Sequence, residues 1–147
     1  MQTTNVRCVA GTLRRATRSI ARVYDQRLAA VGLTTTQLSL LRASEAVDEP
    51  IPLSRLAEEQ VFERTSLYRA LAPLERDGLV SIAAGRGRMK TVALTIKGRR
   101  QVERAIPHWN AVQQEFVSRF GRTAWTTLSS QLADIVDIAR GMPGDGA

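Results

Sequence analysis

Leu74-Glu75-Arg76-Asp77-Gly78-Leu79-Val80 reads as a helix end running straight into a strand, and Ala84-Gly85-Arg86-Gly87-Arg88-Met89-Lys90 turns that strand back toward a second one ending Val92-Ala93-Leu94-Thr95. Gly78 sits where a left-handed residue stops a helix. Apolar residues alternating at Val80 and Ile82, then at Val92 and Leu94, give the period-two pattern of a half-buried ribbon. Upstream, Thr65 to Arg76 carries Leu67, Ala70, Leu71 and Leu74 at helical spacing. A shorter helix opens at Leu53-Ser54 with Leu56 and Ala57 inward, and Val61-Phe62 makes the turn between the two. Two helices, a turn and a basic hairpin are the parts of a winged helix-turn-helix. Such a unit puts its second helix in a DNA major groove and its hairpin on the neighbouring backbone or minor groove.

Working outward, Val9, Leu13, Ala16, Ile20, Val23 or Tyr24, Leu28 and Val31 recur at steps of three and four, which predicts a long amphipathic first helix stopped by Gly32. Thr34 to Gln37 fits a capping box opening a second helix with Leu38, Leu40 and Leu41 inward. Asp48-Glu49-Pro50-Ile51-Pro52 reads as a loop, because two prolines this close prevent a helix. Beyond the hairpin, Thr95 caps a fifth helix striped by Val102, Ile106, Trp109, Phe116 and Phe120, and Pro107 inside it is expected to kink it. Gly121 ends that helix, and Thr123 starts a sixth with Trp125, Leu128, Leu132, Ile135 and Ile138 at helical spacing. The tail from Gly141 to Ala147 reads as unstructured.

The fold expected is therefore mainly α with a small β-hairpin wing: four helices, two strands and two more helices. A chain of 147 residues suits one domain, 1–147, with a DNA-binding region over 34–98. The apolar stripes of the outer helices, 5–32 and 96–140, must be covered. A second copy related by two-fold symmetry covers them economically, so dimerisation through these terminal helices is expected.

Composition agrees with a polyanionic partner. The net charge is +7 and the isoelectric point about 10.9. From Gly78 to Gly98 the charged residues are Arg86, Arg88, Lys90 and Lys97, with no acid among them. No apolar run is long enough for a membrane helix, the N-terminus lacks a signal pattern, and Cys8 is the only cysteine, all of which point to a cytoplasmic protein. The single histidine, His108, rules out a histidine-rich metal site. Nucleophile-elbow, phosphate-loop and metalloprotease patterns are lacking, so neither an enzyme nor a resident cofactor is expected.

Taken together, these segments resemble the MarR family of winged-helix transcription regulators. The resemblance is carried by Tyr24-Asp25 through Gly32-Leu33-Thr34 with Gln37 and Leu40-Leu41, by Leu53 to Ala57, by Leu67 to Val80, and by Leu94-Thr95-Ile96-Lys97-Gly98. It implies a homodimer joined through its terminal helices, with two reading lobes on a roughly palindromic operator. It also implies that Ser66 and Arg69 occupy recognition-helix positions and that Arg88 is the wing arginine. The family often carries an acid two residues before that arginine, where this chain has Arg86, so the usual acid-to-arginine brace of the wing is missing.

The candidate DNA contacts are Arg64, Thr65, Ser66, Tyr68 and Arg69 on the recognition helix, and Arg86, Arg88 and Lys90 on the wing. An arginine can bind guanine O6 and N7 together, hydroxyls can bond phosphate or base, and guanidiniums flanking Gly87 can enter a narrow minor groove. Lys90 is read as a phosphate contact. Cys8, near the start of the first helix, is a candidate thiol switch whose plain alternative is an inert helix-end cysteine. Trp109 and Phe116 are candidates for lining a small-molecule cleft, against the alternative of packed core. The function expected is a sequence-specific regulator, more readily a repressor, released by a small apolar or aromatic ligand. The alternatives are a DNA-architectural protein of low specificity and a Cys8 redox sensor.

Overall fold

The computed structural model describes residues 7–45 and 49–144, so Asn5 and Val6 of the first dimerisation range, Asp48, and the tail residues Asp145, Gly146 and Ala147 lie outside it. In chain order the elements are α1 (Val9–Leu28), a short 3-10 turn (Ala29–Val31), α2 (Thr35–Ala43), β1 (Ile51–Pro52), α3 (Leu53–Glu59), α4 (Arg64–Arg76), β2 (Val80–Ala84), β3 (Lys90–Leu94), α5 (Ile96–Phe120) and α6 (Arg122–Gly141). The chain divides into two compact units, one ending at Trp109 and the other beginning at Asn110.

The first unit is built on leucine. Leu28, Leu38, Leu40, Leu41, Leu56, Leu67, Leu71 and Leu74 are each at most 1% exposed, so α2, α3 and α4 turn their stripes to one core, which α1 joins through Leu28 and which Val80 and Val92 close from the ribbon. The expected capping box is present. Thr34 Oγ1 accepts the Gln37 N–H at 3.2 Å, and Gln37 Oε1 accepts the Thr34 N–H at 3.0 Å. Asp25 reaches from α1 to accept the Thr35 N–H at 2.7 Å, which ties α1 to the start of α2.

The ribbon departs from the expected hairpin in one respect. Ile51 and Pro52, expected in a loop, form a third strand paired antiparallel with β3 (Ile51 opposite Val92, Pro52 opposite Thr91), giving the sheet order β1-β3-β2. Closely spaced prolines exclude a helix but not an edge strand, where a missing N–H can face away from the ladder. β2 and β3 pair from Val80 opposite Leu94 to Ala84 opposite Lys90, so Val80, Ile82, Val92 and Leu94 share the inner face as the alternation predicts.

Thr95 locks the ribbon to α5. Its hydroxyl donates to the Gly78 carbonyl at 2.7 Å and accepts the Gly98 N–H at 2.9 Å. Gly98 is required by close approach, since a Cβ there would lie 2.0 Å from the Leu79 carbonyl oxygen. Pro107 lies inside α5, as expected. In the second unit α6 starts at Arg122, one residue before the expected Thr123, and runs to Gly141, so Gly141 is helical rather than part of the tail. Phe116 stacks on Phe120 with centroids 5.5 Å apart and meets Trp125 edge-on at 5.5 Å.

Candidate nucleic-acid interface

α4 is presented by two neighbouring helix caps. At its C-terminus the Leu79 N–H reaches the Leu74 carbonyl (2.8 Å) and the Gly78 N–H the Glu75 carbonyl (2.9 Å), with Gly78 at φ 73°. This is the Schellman arrangement. α3 ends in the same way just before α4: the Phe62 N–H reaches the Ala57 carbonyl (2.8 Å) and the Val61 N–H the Glu58 carbonyl (3.2 Å). Here the left-handed position is filled by Val61 at φ 55°, which a β-branched residue adopts only at a cost. The turn between the helices thus carries backbone strain that the residue types of Val61-Phe62 do not announce.

With Leu67, Leu71 and Leu74 buried, helical periodicity sends Thr65 and Arg69 straight away from the core and puts Ser66 on one shoulder. Arg64 and Tyr68 fall on the other shoulder, which borders the wing. All five are exposed. Glu63 precedes the helix without making a side-chain cap, so the first N–H groups of α4 stay available beside Thr65 and Ser66.

The wing loop is closed by two backbone bonds, Gly85 N–H to the Met89 carbonyl (2.6 Å) and Met89 N–H to the Arg86 carbonyl (3.3 Å). Gly87 takes φ 65° at the tip, which lets Arg86 and Arg88 flank a bare backbone. Arg88, Met89 and Lys90 form one wall of a groove of about 250 Å³, and Leu53, Ser54, Ala57, Arg64, Leu67 and Tyr68 form the other. The eight expected contacts therefore fall into groups. Arg64, Tyr68, Arg88 and Lys90 line this groove, Thr65, Ser66 and Arg69 project outward from α4, and Arg86 stands exposed on the wing loop. Lys90 Nζ sits 5.6 Å from the Tyr68 ring centroid.

Charge pairing separates this face from the rest of the surface. Elsewhere Arg55 pairs with Glu59 at 2.7 Å, Arg119 with Glu115 at 2.8 Å, and Arg99 with Glu45. Among the described residues, Arg64, Arg69, Arg86, Arg88 and Lys90 have no acidic partner. Exposed guanidiniums left unpaired side by side repel one another, and a phosphate backbone relieves that repulsion.

Solved structures with the same fold carry the identification. The DNA complex of the transcriptional regulator MosR from M. tuberculosis matches at 36% identity and TM-score 0.81, covering 90% of this chain and 96% of that one. A second crystal structure of MosR matches at 35% identity and TM-score 0.80, covering 95% of this chain and 100% of that one. The chain belongs to the MarR family of winged-helix transcriptional regulators. A MarR-family regulator from Rhodococcus sp. RHA1 shares the fold at 19% identity and TM-score 0.76, covering 88% of this chain and 96% of that one. No family model matches the chain, and no curated protein matches it either. As a MarR-family member the chain is a DNA-binding regulator. The matched relatives are regulators rather than enzymes. No helix of the described residues is long and apolar enough to cross a membrane.

The remaining candidates of this MarR-family chain do not line the groove. Cys8 is the exposed N-cap of α1, its Sγ accepting the Gly11 N–H at 3.5 Å. Trp109 packs at the edge of the leucine core, 6.4 Å from the Tyr24 ring and with the Arg42 guanidinium 5.1 Å from its centroid. Burial in that corner raises the Tyr24 phenol above its usual value. Phe116 is engaged by Phe120 and Trp125 within the second unit. Sequence reasoning missed the Arg42–Trp109 and Tyr68–Lys90 contacts, because nothing local links residues so far apart. For Lys90 a signal did exist: it sits two residues before Val92, hence on the inner face of β3.

Proposed function

We propose that the chain is a homodimeric, sequence-specific repressor that reads a pseudo-palindromic operator. Each α4 enters a major groove, half-sites lie about one helical turn apart (~10 bp) and the wings reach flanking minor grooves. Arg69 is the base reader, with Thr65 and Ser66 bonding phosphate or base, while Arg86 and Arg88 take the minor groove. The observation that carries this reading is the set of unpaired cations shared by one face of α4 and the wing. Support for the dimer comes from α6, which buries none of its residues and leaves Ile138 63% exposed. A cytoplasmic setting suits such a regulator.

The effector is a small apolar or aromatic molecule that binds the non-DNA geometry better and moves the two α4 helices out of register. CouR from Rhodococcus jostii RHA1, whose crystal structure is described as bound to p-coumaroyl-CoA, shares this fold. The test compares affinity for a duplex selected by the protein from a random pool with affinity for mixed-sequence duplex, at fixed salt. A ratio of ~10³ or more fits a specific regulator, whereas a ratio near unity would leave an architectural protein.

A further inference from the structure

The distal half of the wing has little to hold it. Its inner-face pairs run from Val80 and Leu94, through Ile82 and Val92, to Ala84 and Lys90, and Val92 is the last of these to be buried in the core. Beyond it the column ends in an alanine and a lysine. Between this end of the ribbon and α4 lies the groove of about 250 Å³, so the wing is not packed on the helix there. Three of the side chains lining the groove are cations (Arg64, Arg88 and Lys90) and none is an acid. Their mutual repulsion pushes the wing away from the helix.

One side-chain contact spans this gap against that repulsion. Strand alternation places Lys90 on the same face as Val92, so its stem points toward the helices, and its ammonium lies 5.6 Å from the centroid of Tyr68. Tyr68 lies on the shoulder of α4 one turn beyond Arg64, where its ring face is turned to the wing. An ammonium within about 6 Å of an aromatic centroid is drawn to the negative face of the ring. Lys90 is also the first residue of β3 and follows the closed loop Gly85–Met89 directly. Holding Lys90 therefore fixes the root of the loop that carries Arg86 and Arg88.

We propose that Tyr68 and Lys90 are positioning residues: the ammonium-on-ring contact straps the wing to the recognition helix and sets where Arg86 and Arg88 meet DNA. The strap does the work of a carboxylate brace in a wing that has Arg86 where an acid would stand. It tolerates the cationic groove because a ring face attracts an ammonium without adding a negative charge that would repel phosphate. The assignment goes beyond the reading of Lys90 as a phosphate contact and of Tyr68 as a DNA contact, and it rests on the DNA-binding reading only for its consequence.

The test uses the full chain with Tyr68→Phe, Tyr68→Leu, Lys90→Arg, Lys90→Gln and the double variant Tyr68→Leu/Lys90→Gln. Amide hydrogen exchange at Gly85 and Met89 is followed in the free protein, and affinity is measured for a duplex selected from a random pool. Tyr68→Phe and Lys90→Arg keep a ring and a cation, so both should keep the parent's slow exchange at the loop. Tyr68→Leu and Lys90→Gln should each speed exchange at the loop and weaken DNA binding about two- to five-fold, the worth of one exposed cation–π contact. The double variant should be no worse than either single one. Exchange unchanged in Tyr68→Leu and Lys90→Gln would overturn the strap, as would losses that multiply in the double variant. Equal damage from Tyr68→Phe and Tyr68→Leu would assign the effect to the hydroxyl and overturn it too. A parent that binds no duplex would defeat the DNA-binding reading alone, since the exchange measurement still decides the strap.

Discussion

Leu41, Leu56 and Leu71 in the first unit have no exposed surface, whereas α6 in the second unit buries none of its residues, although Leu128, Leu132, Ile135 and Ile138 carry an equally regular stripe. The same sequence pattern thus has two outcomes. In the first unit, α2, α3, α4 and the ribbon converge with Leu28 at the end of α1, and these apolar faces find their complement within the chain, while Val9 and Val23 farther up α1 stay exposed. In the second, Leu128, Leu132 and Ile135 are only half-buried and Ile138 is exposed, and apolar area left uncovered costs roughly 25 cal/mol per Å². The difference teaches that the leucine core closes on contacts within the chain, while the stripe of α6 stays partly uncovered, as the proposed dimer would require.

Substitutions in the two regions should separate accordingly, and the largest effect falls in the leucine core. Leu71→Ala should cost about 2–5 kcal/mol in urea unfolding, because a fully enclosed side chain leaves a cavity behind. A loss below ~1 kcal/mol would mean the lobe is looser than its burial implies. Next comes Gly98→Ala, where the added methyl meets backbone 2.0 Å away. Displacing α5 from the start of the ribbon should lower stability by about 1–3 kcal/mol, seen as a shifted unfolding midpoint at unchanged slope.

Arg69→Ala should leave unfolding untouched and remove about 1–3 kcal/mol of base discrimination at one position per half-site, measured by competition between single-base variants of a selected duplex. Uniform weakening across all variants would reassign Arg69 to the phosphates. Val61→Gly relieves the left-handed valine and should raise stability by about 1 kcal/mol, visible as a higher Tm. The smallest effect on the folded chain belongs to α6. Ile138→Ser should alter unfolding by less than ~0.5 kcal/mol, since the residue is already exposed. It should nonetheless shift the sedimentation coefficient toward a single subunit at micromolar concentration. An unfolding loss comparable to that of Leu71→Ala, with no change in association, would erase the contrast between the two regions.

Arginines draw the same kind of contrast on the surface. Arg55 and Arg119 each reach a glutamate one turn away on their own helix, a pairing that (i, i+4) spacing permits and that contributes little. Among the described residues, Arg64, Arg69, Arg86 and Arg88 have no such acid within reach. The absence of acids from Gly78 to Gly98 was already legible in the chain and pointed to this face before any geometry was known.

Local chemistry by itself determined where the helices begin and end, which faces they bury and which hairpin carries the cations. Apolar period, the Thr34–Gln37 capping box, the Gly78 exit and the Thr95 cap all act within a few residues, so they can be read along the chain. Folding in three dimensions decided the rest. It added Ile51-Pro52 to the sheet, forced Val61 into a left-handed turn, put Arg42 over Trp109 and brought Lys90 to Tyr68. The cross-chain contacts join segments distant in sequence, and Val61 adopts a conformation its own preferences oppose. Their energies come from packing, which no short stretch of sequence encodes.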